Sequence, residues 1–149
     1  MGDASAFTAS SPSDLDRLQA FVARACDHAD VDADTRFAVR LAVEESFTNI
    51  MQYGYGPGGG PVTIAVQFDE RRIIIVIRDR GPPFDPTDVP APVLDTDWQH
   101  REAGGLGVHL VRHMMDDVAY VRDLAGENVL TLIKNRSGAA MPPQGGRTA

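Results

Sequence analysis

Cysteine is nearly absent: Cys26 is the only one in 149 residues, so no disulfide can form within the chain and its stability must come from burial and hydrogen bonding. Aromatic residues are sparse at 7%, with a single tryptophan, Trp98. Positive charge is in deficit. Fourteen Lys and Arg against 21 Asp and Glu give a net charge of −7 and a pI near 4.9. That balance excludes a broad electrostatic grip on nucleic acid or anionic lipid, while leaving room for a local basic site. Long apolar runs are missing too: the longest, Ile73 to Ile77, is far short of the roughly 20 residues of a membrane-spanning helix. No signal-type apolar core opens the chain, and Ala6 stands where a myristoylation pattern needs Ser or Thr. The expected setting is cytoplasmic, with neither nucleic acid nor membrane as partner.

What is present is enough for one compact domain, since 43% of the residues are apolar and a chain of this length buries a sizeable core. An extended segment around Ala6 to Ala9 precedes Ser13, a candidate N-cap for a helix on which Leu15, Leu18, Phe21, Val22 and Ala25 recur at helical spacing. An Asp-rich turn leads to a second helix, about Ala33 to Tyr53, with Val39, Val43, Phe47 and Ile50 as its apolar stripe. Val62 to Phe68 alternates as a half-buried strand, and Ile73 to Arg78 reads as a central strand covered on both faces. Periodicity then stops. Pro82, Pro83, Pro86, Pro90 and Pro92 are five of the ten prolines, so the stretch of about 82–104 resists helix and ladder pairing and has the length of a functional lid, with Trp98 as a possible anchor. A third helix carries Val108, Val111 and Met115, and strands Val118 to Leu124 and Asn128 to Lys134 close the pattern. Residues 1–136 form one domain and the tail 137–149, rich in Gly and Pro, is expected to be disordered. Strands joined by tight turns with helices gathered on one face make a two-layer α+β sandwich with a mixed, mostly antiparallel sheet.

Three short segments carry chemistry. Glu45 and Asn49 lie about 40° apart on one helical face, and about 200° from Val43 and Phe47, so burying that stripe turns them out of the core. A carboxylate there can take a proton from a hydroxyl, and the Asn49 amide oxygen suits Mg²⁺; the same spacing also lines an ordinary solvated face. Asp79, ending the apolar strand before Arg80-Gly81, can accept from an adenine amine with Gly81 allowing close approach, or can simply start a turn and pair with Arg78 or Arg80. Gly104, Gly105 and Gly107 open the third helix and fit either a phosphate cradle or a hinge. His109 and His113 stand four apart and can be read as zinc ligands or as a solvated or phosphate-facing pair. No nucleophile elbow supports a hydrolase triad.

Taken together, Ala42-Val-Glu-Glu-Ser-Phe-Thr-Asn-Ile50, Tyr53-Gly-Tyr55, Arg78-Asp-Arg-Gly81 and the run from Gly104 through Met114-Met-Asp-Asp-Val118 resemble the GHKL (Bergerat-fold) ATPases. Within them the chain is similar to the small bacterial anti-sigma-factor serine kinases of the partner-switching type. The resemblance covers about Leu15 to Lys134 and implies an ATP-binding, kinase-like domain using ATP and Mg²⁺. It implies Glu45 as the base for an attacking serine hydroxyl, Arg17 as an arginine orienting that base, and Asn49 as the Mg²⁺ ligand. Asp79 is implied to read adenine with Gly81 beneath the ring, and Gly104, Gly105, Leu106, Gly107 and Val108 to form the segment against the nucleotide. The implied partners are an antagonist (STAS-domain) protein as phosphoacceptor, a sigma factor or other regulatory protein, and a second copy in a homodimer through the N-terminal strand and first helix.

Two residues depart from the family pattern. Pro83 replaces the second glycine after Asp79, stiffening the start of the lid, and Glu127-Asn128 stands where a Gly-Thr pair is common, so one adenine-side contact must come from elsewhere. These departures set a second reading beside the kinase, a catalytically weak or inactive module whose nucleotide only selects its protein partner. A detached histidine-kinase catalytic domain fits less well, because the single helix before Asp30 cannot supply a phosphoacceptor helix pair.

Overall fold

A computed structural model describes residues 4–88 and 105–136. Strand β1, Ala4–Ala9, leads through a 3-10 turn, Pro12–Asp14, into helix α1, Leu15–His28; helix α2, Ala33–Asn49, follows and widens into a π-helical turn, Ile50–Tyr55. Strands β2, Val62–Phe68, and β3, Arg72–Asp79, form a hairpin. A short 3-10 turn at Pro86–Asp88 precedes helix α3, Gly105–Met114, and strands β4, Asp117–Arg122, and β5, Asn128–Asn135, complete the fold. Most of the lid segment and the tail, the stretches 89–104 and 137–149, lie outside the described residues, as do Trp98 and Gly104.

Local chemistry sets these boundaries. Asp14, rather than Ser13, organises the entry to α1: its Oδ2 accepts from the Ser10 and Ser11 amides at 2.8 and 3.2 Å and its Oδ1 from Arg17. Asp32 caps α2 by accepting from the Thr35 amide at 3.2 Å. Both hairpins turn on aspartates. Asp69 Oδ1 accepts from the Arg71 and Arg72 amides, and Asp123 Oδ1 accepts from Ala125 and Glu127, with Gly126 supplying the positive φ of 86°. The second helix stops being α-helical at Asn49, four residues before the sequence spacing implied. The wider turn lets the Tyr55 hydroxyl donate to the Pro61 carbonyl and accept from the Arg80 amide, both at 2.7 Å.

The sheet order is β1-β2-β3-β5-β4, and every described pairing is antiparallel. β5 is inserted between β3 and β4, so α3 carries the chain across it and the ends of β3 and β5 meet beside α3. The core lies between the helices and one sheet face. Ile73, Ile75 and Ile77 from β3 and Ile64 and Val66 from β2 are fully buried with Leu18, Val22, Val39, Val43 and Phe47. The expected two-sided cover of β3 is corrected: Ile74 and Val76 are only half-buried. Among the described residues the helices occupy one face, so an all-apolar strand is not here a doubly covered one. Among the described residues no helix is long and apolar enough to cross a membrane.

Because Ile75 is fully buried on the helix side and Val76 is not, Ile75→Ala is expected to cost about 2–5 kcal/mol in urea unfolding, whereas Val76→Ala costs roughly 1 kcal/mol. Equal losses would place the core on the wrong face.

Candidate active site

Helix α2 is buried on more sides than its apolar stripe implies. Thr35, Ala38, Ala42, Ser46 and Asn49 are buried along with Val39, Val43 and Phe47, because the sheet takes one side and α3 packs on another. Asn49 is therefore 6% exposed and Glu45 half-buried, which corrects the expectation that both face out of the core. The contact that closes this side is Gly107. A β-carbon built there would collide with Glu45 Oε1, the free end of that side chain, and lie 3.9 Å from Asn49 Nδ2, so the bare Gly107 backbone lets the Glu45 carboxylate rest against α3 in its present orientation. Burial, and secondarily the negative charge of Glu44, pushes the Glu45 carboxyl above the ordinary glutamate value, the direction that makes a carboxylate a stronger base.

Asn49 makes no side-chain hydrogen bond to any described residue. A buried amide left so costs on the order of 1–3 kcal/mol, and its oxygen is a hard ligand of the kind Mg²⁺ takes. The side chain therefore fits a metal ion or a phosphate-bound water supplied from outside the chain.

Asp79 ends β3 with 6% exposure. Neither neighbouring arginine pairs with it: Arg78 reaches Glu127 at 3.4 Å and Arg80 the Ala125 carbonyl at 3.4 Å. Asp79 Oδ1 instead accepts from the Gly81 amide at 2.8 Å and from Asn128 Nδ2 at 3.0 Å. Asn128 is paired directly with Asp79 across the β3–β5 ladder. Gly81 is buried, and a β-carbon there would press on Asp79 Oδ1, the Gly54 backbone and the Tyr55 ring at 3.2, 3.4 and 3.5 Å. Its need for glycine thus comes from packing within the chain.

Asn49, Asp79 and Asn128 line one narrow, largely apolar cavity together with Ser46, and Ile50, Phe84, Pro86, Val108, Val111, Tyr120 and Leu130 are among its walls. It holds about 20 Å³, enough for a water molecule and too small for a ring unless its walls move. A wider, open depression of about 620 Å³ lies between α1 and α2, beside Phe37; its arginines are engaged, Arg36 with Asp27 and Arg40 with Gln19, and it gathers no comparable acid–base pair.

The structure brings Glu45, Asn49, Asp79, Gly81, Gly107 and Val108 to one place. It does not bring Arg17 there. Arg17 pairs with Asp14 and lies over the Phe7 ring, 5.8 Å from its centroid, and among the described residues the charge acting on Glu45 is that of Glu44. Gly105 opens α3, while the side chain of Leu106 lies outside the description. His109 and His113 stack at 6.3 Å between ring centroids, but no group of three potential metal ligands forms among the described residues. Tyr120, Arg122, Phe84 and Pro86 escaped the sequence reading. Alternation along β4 puts Tyr120 and Arg122 on one face, with Tyr120 opposite Leu130, and that signal alone could have found them.

A raised Glu45 pKa means that the neutral carboxyl stabilises the fold. That contribution is complete below the unfolded value of 4.5 and is lost as pH rises through the higher folded value. Glu45→Gln is therefore expected to raise Tm by a few degrees at pH 7–8 and to leave it unchanged near pH 4. The same increment at both pH values in a thermal melt would contradict a desolvated carboxylate.

The histidine kinase-like ATPase domain family matches residues 8–134 of the chain. Among curated proteins, the serine/threonine-protein kinase BtrW of Bordetella bronchiseptica is 32% identical over 101 residues, covering 67% of this chain and 70% of that protein. The serine-protein kinase RsbW of Bacillus cereus is 32% identical over 94 residues, 57% of this chain and 56% of the relative, and RsbW of Bacillus anthracis is 31% identical over 94 residues. The chain thus spans a little over half the length of the RsbW proteins it matches. With the match running from β1 to β5 and enclosing the whole α2–β3–α3 cluster, the chain belongs to the histidine kinase-like ATPase domain family.

Proposed function

We propose that this protein is an ATP-dependent serine kinase of the anti-sigma-factor type. In this reading it phosphorylates an antagonist (STAS-domain) protein and switches between that partner and a sigma factor or similar regulator in the cytoplasm. The observation that carries the reading is the pairing, on adjacent turns of α2, of a desolvated carboxylate, Glu45, and a buried amide with no side-chain partner among the described residues, Asn49, both against Gly107 of α3. A phosphoryl-transfer site needs a base for the acceptor hydroxyl and a ligand for the phosphate-bound metal side by side. The relatives are named as serine or serine/threonine kinases, which favours the same chemistry.

The steps follow from the geometry. Asp79 Oδ2, the oxygen with no donor among the described residues, accepts from the 6-amino group of adenine in the apolar cavity. The phosphates run toward the start of α3, where helical N–H groups favour anions. Asn49 would hold Mg²⁺, and when bound that ion offsets charge on the phosphate oxygens. Glu45 takes the proton of the incoming serine hydroxyl as its oxygen bonds to the γ-phosphorus. The bond from the γ-phosphorus to the β–γ bridging oxygen breaks and ADP leaves. Burial, by keeping the Glu45 pKa high, makes that proton transfer more favourable. The reading includes a homodimer, for which β1 offers an unpaired edge with Ala4, Ser5, Ala6 and Thr8 exposed.

The test is transfer of the labelled γ-phosphoryl group of ATP to a serine of the cognate antagonist. Glu45→Gln is expected to slow transfer by about 10²–10⁴-fold with ATP affinity nearly kept, and Asn49→Ala to abolish the Mg²⁺ dependence of nucleotide binding. Tight Mg·ATP binding by the wild type with no label on the antagonist would leave only the partner-selecting module.

A further inference from the structure

We propose that Asn128 is a positioning residue that sets the base selectivity of the nucleotide site by holding the Asp79 carboxylate in one orientation. The inference rests on the nucleotide reading above and assigns a role to the residue that departs from the family pattern.

Asn128 opens β5 with 4% exposure, and every hydrogen-bonding position of its side chain is filled. Nδ2 donates to Asp79 Oδ1 at 3.0 Å and to the Gly81 carbonyl at 3.0 Å, with the Pro82 carbonyl at 3.3 Å. Oδ1 accepts from the Tyr120 hydroxyl and from Arg122 at 2.9 Å. The partners fix which end of the amide is which, because a carboxylate and two carbonyls can only accept and a guanidinium can only donate. Arg122 also donates to the Gly81 carbonyl at 3.1 Å. The side chain therefore has no capacity left for the base. It acts through Asp79.

Both donors to Asp79, the Gly81 amide and Asn128, converge on Oδ1. With that oxygen anchored from two directions rotation of the carboxylate is opposed, and Oδ2 of this cavity-lining residue is left as the open acceptor. A fixed, buried acceptor favours a purine with an amino group at position 6 and disfavours one with a carbonyl there, whose oxygen would face the carboxylate. A threonine at 128 has one O–H to give and can serve Asp79 or the Gly81 carbonyl, but not both. Asparagine does both. It thereby ties the orientation of Asp79 to the position of the Gly81–Pro82 backbone at the root of the proline-rich segment.

The experiment compares ATP with ITP, which differs at the 6-position of the base, by calorimetric titration in Mg²⁺ buffer with wild type, Asn128→Ala, Asn128→Leu and Asn128→Thr. Urea melts confirm folding in each case. The wild type is expected to prefer ATP by roughly a hundredfold. Asn128→Ala and Asn128→Leu are expected to lower that ratio by about tenfold, through weaker ATP binding with ITP little changed, and Asn128→Thr to restore it in part. A merely structural residue would weaken both nucleotides together, so an unchanged ratio in the folded Ala or Leu variant overturns the proposal, as does a wild type without preference. A wild type that binds neither nucleotide overturns the nucleotide reading itself, which is a different result.

Discussion

The burial of α2 on two sides is the constraint from which the site follows. Its apolar stripe, Val39, Val43 and Phe47, seals the sheet, and a helix covered only there would leave Glu45 and Asn49 in water as ordinary surface residues. α3 prevents this by crossing β5 and laying Gly107 against the Glu45 carboxylate. The inserted position of β5 places Asn128 opposite Asp79 at the same end of the sheet. Helix packing and strand order thus bring Asn49 and Asp79 to the wall of one cavity, with Glu45 one turn away on α2, although they come from two separate stretches of sequence.

The arrangement carries a cost that a purely structural design would avoid. A desolvated carboxylate and a buried amide with no side-chain partner among the described residues each oppose folding, whereas an apolar pair at 45 and 49 would pack against α3 with no such penalty. Asp79 shows the contrast. It is equally buried, yet two donors satisfy one of its oxygens and an asparagine with all its bonds made holds it in place. The site therefore combines, at the sheet, an anchored carboxylate with one open oxygen and, on α2, a charged, incompletely satisfied end, as expected if a base ring docks at the first and reacting phosphates at the second.

Much of the fold could be read from the residues. Alternation in Val62 to Phe68 and the helical spacing on either side of Asp30 carry the elements, and the tight turns between successive strands carry the antiparallel pairing. Glu45, Asn49, Asp79 and Gly107 were found because their spacing carries chemistry along a single element. What spacing could not give was contact between elements. The second covered side of α2 depends on α3. Arg17 was assigned to the base on resemblance, but its helix turns it toward Asp14 and Phe7. Tyr120 and Arg122 matter only because β4 lies beside β5 at the register that brings them to Asn128. The run Ile73 to Ile77 implied cover on both faces, yet Ile74 and Val76 are only half-buried.

In the proposed reading one nucleotide occupies the cavity between α2, β3 and α3 in a defined orientation. A crystal structure of the protein with Mg²⁺ and a non-hydrolysable ATP analogue tests it most directly. Expected are the adenine amine within hydrogen-bond distance of Asp79 Oδ2, the metal ion on the Asn49 amide oxygen, and the terminal phosphate facing Glu45. A nucleotide bound elsewhere, or one whose base avoids Asp79 while its phosphates avoid Asn49, would contradict it.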